Sequence, residues 1–271
     1  MCGCGGSGTG CLGALPVADR REPPPLLFDG VLTLTSLVAD TLLWHTIIGI
    51  AKALRTDEWV LVGGQMVALH GFMVGVVPPR VTTDIDIVAD VLVRPGMLRR
   101  CADVLESMKL EPRPSLTRKR LHRFVGTEAT VDLLVPDHLP AHVNLWLHGH
   151  AAVPIAGGRR ALDRSGRVVV DLAGERGEVI LPDLLGALVL KSRAARTDHR
   201  DNERHISDIA FLCSLVADPL AMRDQLDAKE RASLRSVPMP ADTRGAPWVF
   251  LDPGVRQDAS DAWLTLVKAR R

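Results

Sequence analysis

Arg80-Val-Thr-Thr-Asp-Ile-Asp-Ile-Val88 alternates polar and apolar residues from Asp84 onward, the period of a strand with one face on a core. Asp84 and Asp86 then share one face, and Ile85 and Ile87 the other. Two carboxylates that close repel, and both stay ionised only beside a cation or in ample solvent. Hard oxygen ligands around an open, partly hydrated site suit Mg²⁺, with Mn²⁺ as the alternative. An isolated Asp-x-Asp would be a solvated strand face, but this one has company. Upstream, Glu58-Trp-Val-Leu-Val62 predicts a short buried strand, Gly63-Gly64 stops it, and Gln65 to Gly71 predicts a helix. The glycines permit close backbone approach, and free N–H groups at a helix start suit a phosphate; a tight turn explains the pair equally well. Arg80 adds a fixed positive charge suited to phosphate oxygens. Downstream, Thr130-Val-Asp-Leu-Leu-Val135 predicts a second acidic strand, with Asp132 on one face beside Thr130 and Leu134. If the two strands pair, three carboxylates converge, enough to hold one or two Mg²⁺ ions.

Around this centre the chain divides into three parts. Residues 1–25 read as a disordered tail. Ser36 is expected to cap a helix to about Arg55, and Pro95 to open another over Gly96–Lys109. Strands are expected at His122–Val125 and Thr130–Val135. Helix, strand, helix, strand, helix, strand, strand is the order of a small α/β (α+β) domain with a mixed sheet, assigned to residues 26–177. Signals weaken between Pro136 and Gly177, apart from a strand over Arg167–Leu172. His138, His142, His148 and His150 fall there, but Pro140 argues against a helix presenting them to a metal, so they read as surface or structural. Pro182 is expected to start an apolar helix to about Ala195. A polar loop, Arg196–Glu203, leads to a second helix, Arg204–Ala217, ended by Asp218-Pro219. Short helices around the Pro-rich 237–247 stretch complete a helical domain over 178–271.

Composition excludes several classes. The chain has 271 residues, 46% hydrophobic and 24% charged, with net charge +1, too apolar for disorder. No uninterrupted apolar run approaches the ~18–20 residues of a membrane span; Leu32 to Leu54 is broken by Asp40 and His45 and reads as a buried or amphipathic helix. Cys2, Cys4 and Cys11 crowd a Gly-rich opening without a His or second pair to complete a metal site. An odd count of five cysteines and no secretory signal fit a reducing cytoplasm. Lysine is scarce, so Lys191 on an apolar stripe with Leu184, Ala187 and Leu188 stands out. Asp208, ahead of Phe211, Leu212 and Leu215, is its counterpart. Charges on apolar stripes are costly unless they pair or face a ligand, and both readings stay open.

In this order the parts resemble the nucleotidyltransferase superfamily of polymerase-beta type: Val62-Gly-Gly-Gln65, then Asp84-Ile-Asp86, then Val131-Asp-Leu133. The nineteen residues between Gly64 and Asp84 exceed that family's usual gap, which a loop around Gly71–Pro79 would absorb. The second half is similar to the AbiEii group, type IV toxins that include the MenT relatives: Leu188-Val-Leu-Lys191, an Arg196 loop, then His205-Ile-Ser-Asp208. Arg204-His205 stand where that group has Lys-Asp. The resemblance covers about Glu58–Ala217. It implies metal binding by Asp84, Asp86 and Asp132, with Lys191 and Asp208 completing the catalytic set. It further implies nucleotide binding by Gly63, Gly64, Gln65, Arg80, Thr83 and Lys191. An NTP donor, an RNA or tRNA acceptor and a cognate antitoxin follow as expected partners.

Between Arg94 and Arg123 nine basic residues face three acidic ones. Arg118, Lys119, Arg120 and Arg123 could guide an RNA backbone, against the bland reading of a solvated face. No aromatic residue interleaves between Arg94 and Leu121. Two other readings compete: adenylylation of a small molecule or protein, and a nucleotide-binding or protein-binding module without catalysis.

Overall fold

The computed structural model describes residues 23–35, 40–115, 119–198 and 201–268; the tail cysteines, Ser36 and Arg118 lie outside these. In chain order the strands are β1 (Leu26–Leu34), β2 (Trp59–Val62), β3 (Asp84–Ala89), β4 (Glu111–Ser115), β5 (Arg120–Val125) and β6 (Thr130–Pro136). They continue as β7 (Trp146–Leu147), β8 (His150–Ala151), β9 (Val153–Ile155), β10 (Ser165–Leu172) and β11 (Glu175–Pro182). The helices are α1 (Thr41–Ala53), α2 (Gly63–Met73), α3 (Met97–Ser107), α4 (Gly158–Asp163) and α5 (Leu184–Thr197). After them come α6 (Asn202–Ser214), α7 (Pro219–Asp224), α8 (Ala228–Arg235) and α9 (Arg256–Val267).

The larger sheet runs β2-β3-β6-β5-β8-β7, with β4 also on β5 and β9 also on β6. β3 and β6 are parallel, while β2–β3 and β5–β6 are antiparallel, so the sheet is mixed, as the element order predicts. Alternation sets its two faces. Ile85, Ile87, Val131, Leu133 and Phe124 are fully buried in the core. Their polar neighbours form one row across five strands: Val62 pairs with Asp86, Asp86 with Asp132, Asp132 with Arg123, and Arg123 with Arg113. Paired residues point to the same face, so this row lies on one side of the sheet, opposite the buried one. β1, β10 and β11 make a second sheet, with β1 parallel to β10.

Several elements differ from the sequence expectation. The apolar run from Leu32 begins as a strand: Leu32 and Leu34 are buried between exposed Val31 and Thr33, a period of two. Gly30, at φ +95°, and a register shift after Leu26 disguise it. Helix α1 starts at Thr41, where Asp40 Oδ1 accepts from the N–H groups of Leu42 (3.0 Å) and Leu43 (3.3 Å). β10 and β11 form a hairpin through Ala173-Gly174, both at positive φ, the backbone a two-residue turn requires. β11 runs to Pro182, so the expected boundary after residue 177 falls inside a strand. Helix α5 begins two residues later, where Asp183 accepts from Gly186 N–H (2.6 Å). Arg196 lies within α5 rather than in a loop. Among the described residues no helix is long and apolar enough to cross a membrane.

Candidate active site

A cavity of about 240 Å³ lies between the polar row of the larger sheet and helices α5 and α6. Its sheet wall carries Asp84, Asp86 and Asp132, which the sequence analysis expects to converge, and the parallel register of β3 and β6 brings them together. Arg123 clamps Asp132 through two hydrogen bonds of 2.9 Å and reaches Asp84 at 3.5 Å. Two of the three carboxylates, Asp132 and Asp84, thus share one guanidinium. Burial, Asp132 and, more weakly, Asp84 push the Asp86 carboxyl up to about 6, against the pull of Lys191 and Arg204.

Two expectations meet this geometry: Arg123, expected along an RNA backbone, faces the carboxylates, and Asp132, expected as a third metal ligand, accepts from Arg123 on both oxygens. Among the described residues no three His, Cys, Asp or Glu side chains form a ready metal cage. Mg²⁺ does not need one, since one or two carboxylates with substrate phosphates and water suffice. Asp84 and Asp86, hard oxygen donors whose mutual repulsion is under-neutralised, fit such an ion.

The helix wall is built differently. Lys191 Nζ lies 2.7 Å from Asp208 Oδ2, and both side chains are buried. Arg80 reaches across to the same carboxylate, with Nη2 3.0 Å from Oδ2 and Nε 3.3 Å from Oδ1. Of the two readings left open for Lys191 and Asp208, the pairing is present, and Lys191 also lines the cavity that holds Asp84 and Asp86. Accepting from both cations, Asp208 ties Lys191 and Arg80 together at the cavity edge.

The floor is the β2–α2 junction. Gly63 sits at φ +71°, and a Cβ there would fall on the Asp86 carboxylate. Gly64 packs against Thr82, and no side chain caps α2, which leaves its first N–H groups toward the cavity. Gln65 and Thr83 were expected to bind nucleotide. Gln65 is buried and donates to the Thr82 carbonyl (3.0 Å) instead. Thr83 is exposed and outside the cavity lining, because Thr82 is the threonine in phase with Asp84 and Asp86. Thr197, Arg204 and His205 also line the cavity and were not singled out for it. Burial, then Lys191 and Arg204, lower His205 to about 4, so its ring is neutral at physiological pH. Lys119 and Arg120 are exposed, away from this lining.

No family model matches this chain, and no curated protein matches its sequence. Among solved structures it is similar to the crystal structure of an antigenic nucleotidyltransferase-like protein from Paracoccidioides brasiliensis. Identity is 16%, the match covers 86% of this chain and 96% of that one, and the TM-score is 0.48. The chemistry of the site is read from its own residues.

Proposed function

We propose that this chain is a metal-dependent nucleotidyltransferase, which moves a nucleoside monophosphate from an NTP to an acceptor hydroxyl. One observation carries the reading: a carboxylate row, an uncapped glycine helix start and a buried Lys191–Asp208 pair open onto one cavity. In it the triphosphate lies against the first turn of α2, with Lys191, Arg80 and Arg204 opposing its charge. Asp84 and Asp86 would hold Mg²⁺ or Mn²⁺, which when bound would neutralise phosphate charge. Asp132, fixed by Arg123, accepts the proton of the acceptor hydroxyl as that oxygen attacks the α-phosphorus. The bond to pyrophosphate breaks on the opposite side. Positioning and charge stabilisation provide most of such catalysis.

The finer reading takes the acceptor as an RNA 3′ end, with tRNA the expected case. It takes the chain as a toxin of AbiEii type restrained by a cognate antitoxin. The Lys191 and Asp208 helices support it, with Asp208 holding Lys191 at the cavity. Incubation with each α-labelled NTP, Mg²⁺ or Mn²⁺ and total RNA tests both levels. Metal-dependent label on RNA, with growth arrest on expression that Asp86→Asn relieves, is the expected result. Label on the protein or on a small molecule would retain the transferase and remove the RNA acceptor. Absence of NTP binding in the presence of metal would remove the transferase itself.

A further inference from the structure

Four of the five tryptophans, Trp44, Trp59, Trp248 and Trp263, are buried, whereas Trp146 is 63% exposed. Trp146 on β7 pairs with Ala151 on β8, and Ala151 pairs with Arg120 on β5. The three side chains therefore share a face, with alanine as the floor between an indole and a guanidinium. Two strand spacings separate the outer pair, about 9.5 Å. A flat ring in van der Waals contact on both sides needs about 7 Å.

This face is continuous with the candidate active site. Arg123 and Arg120 pair with Arg113 and Ser115, an i,i+2 pair on β4, so a bulge in β5 keeps both arginines on one side although they are three residues apart. Asp86, Asp132, Arg123, Arg120 and Trp146 thus lie along one surface. Lys119, also exposed, adjoins Arg120, and neither has an ion-pair partner among the described residues. Glu106, which meets the β7–β8 turn, is taken by His148 at 2.7 Å.

We propose that Trp146, Ala151 and Arg120 form a stacking subsite for an unpaired base of a single-stranded RNA whose 3′ end reaches the carboxylate row. The inference deepens the transferase reading and rests on it for the role of the 3′ end. Free cations complement the backbone, and an exposed indole beside an arginine takes any base by its face. A duplex keeps its bases stacked internally and gains nothing from the slot.

The test is fluorescence anisotropy of a labelled single-stranded oligoribonucleotide with a free 3′-hydroxyl, without NTP or metal, so that it is independent of NTP binding. Trp146→Ala should weaken binding roughly 5- to 100-fold, the range for loss of one stacked base. Trp146→Phe should restore most of it, and Arg120→Ala should weaken it and flatten its salt dependence by about one phosphate contact. Reversal of two exposed cations elsewhere, Arg196→Glu with Lys229→Glu, should leave it unchanged. Equal binding by wild type and Trp146→Ala overturns the subsite, as does equal use of Trp146 by a duplex. Loss of binding in the Arg196/Lys229 variant alone, or Trp146-dependent binding to phosphatidylserine vesicles with none to RNA, also overturns it. If wild type binds RNA through Trp146 but no NTP with metal, the transferase reading fails and the subsite stands.

Discussion

On the sheet wall of the cavity two of three carboxylates share one arginine; on the helix wall one carboxylate is shared by an arginine and a lysine. Both are clusters of charge in a partly desolvated place, yet they differ in what they lack. Around Asp208 the negative charge is more than matched, and the cluster holds itself in place. Around Asp86 it is under-matched, and burial, with repulsion from Asp132, raises that carboxyl to about 6. The first arrangement stabilises geometry; the second stores repulsion that a bound cation relieves. Facing each other across one cavity, they give a ligand with negative phosphates and a divalent cation a place for each charge.

The sharpest way to break this contrast is to remove the shared carboxylate of the helix wall. Asp208→Ala leaves Lys191 buried without its partner, and unfolding stability in urea should fall by about 3–5 kcal/mol. Adding Lys191→Met should recover much of that loss, since a buried pair replaced by apolar groups is often neutral. A loss near zero in the single variant would mean the two walls do not differ as described. On the sheet wall the response should invert. Asp86→Asn removes a repelled charge, so stability should hold or rise slightly, whereas metal-dependent transfer should drop about 10²–10³-fold, the scale for losing one electrostatic contribution in a site. Paired melts and label-transfer rates on the same preparations read both halves.

A third expected outcome concerns the packing behind the helix wall. His70 is buried, its Nε2 3.0 Å from the Pro182 carbonyl, and burial lowers it to about 4. Its folded value lies below the unfolded one of about 6.5, so between those pH values the unfolded chain takes up a proton that the fold refuses. Stability should be complete above about 6.5 and decline by about 3 kcal/mol as pH falls toward 4. His70→Gln should flatten that part of the urea midpoint against pH. A slope unchanged in the variant would assign the acid sensitivity to His205, which burial also lowers to about 4, since the raised Asp86 carboxyl acts in the opposite sense.

Much of this was legible from period and punctuation. The alternation in Asp84–Val88 and Thr130–Val135 places both strands and the facing of their carboxylates, and Gly63-Gly64 marks the close approach to Asp86. What escaped the sequence did so for identifiable reasons. Arg123 reads as one of a basic run because strict alternation puts it in phase with the buried Leu121. The bulge in β5, set by pairing with β4, turns it to the carboxylates instead. β1 is hidden by Gly30, and β11 by a hairpin whose Ala173-Gly174 turn carries no Asn or Asp. Trp146 lies in a stretch with weak secondary-structure signals, and its place beside Arg120 depends on strand order across the sheet. Whether Lys191 and Asp208 pair or face a ligand could not be decided by stripe position, because the paired Lys191 also lines the cavity.

The smallest expected effect tests the tie between the walls. Gln65 on α2 donates to the carbonyl of Thr82, in the segment that carries Arg80 from the sheet toward Asp208. Gln65→Ala keeps a residue of high helix propensity and removes that bond, so the cost to stability should be about 1 kcal/mol. If the bond only supports the fold, the effect ends there. If it holds Arg80 and Thr82 in position over the cavity, the segment slackens and the ligand must order it on binding. NTP affinity should then fall several-fold while turnover at saturation changes little, the pattern of a lost binding contribution shared by ground and transition states. Gln65→Glu offers an acceptor where the Thr82 carbonyl needs a donor, and it should weaken NTP affinity further through added negative charge near the phosphates. Thermal shift with NTP and Mg²⁺, with KM and kcat measured separately, distinguishes these cases. Equal KM in wild type and both variants would show that the walls are positioned independently, with Asp208 alone setting the place of Arg80.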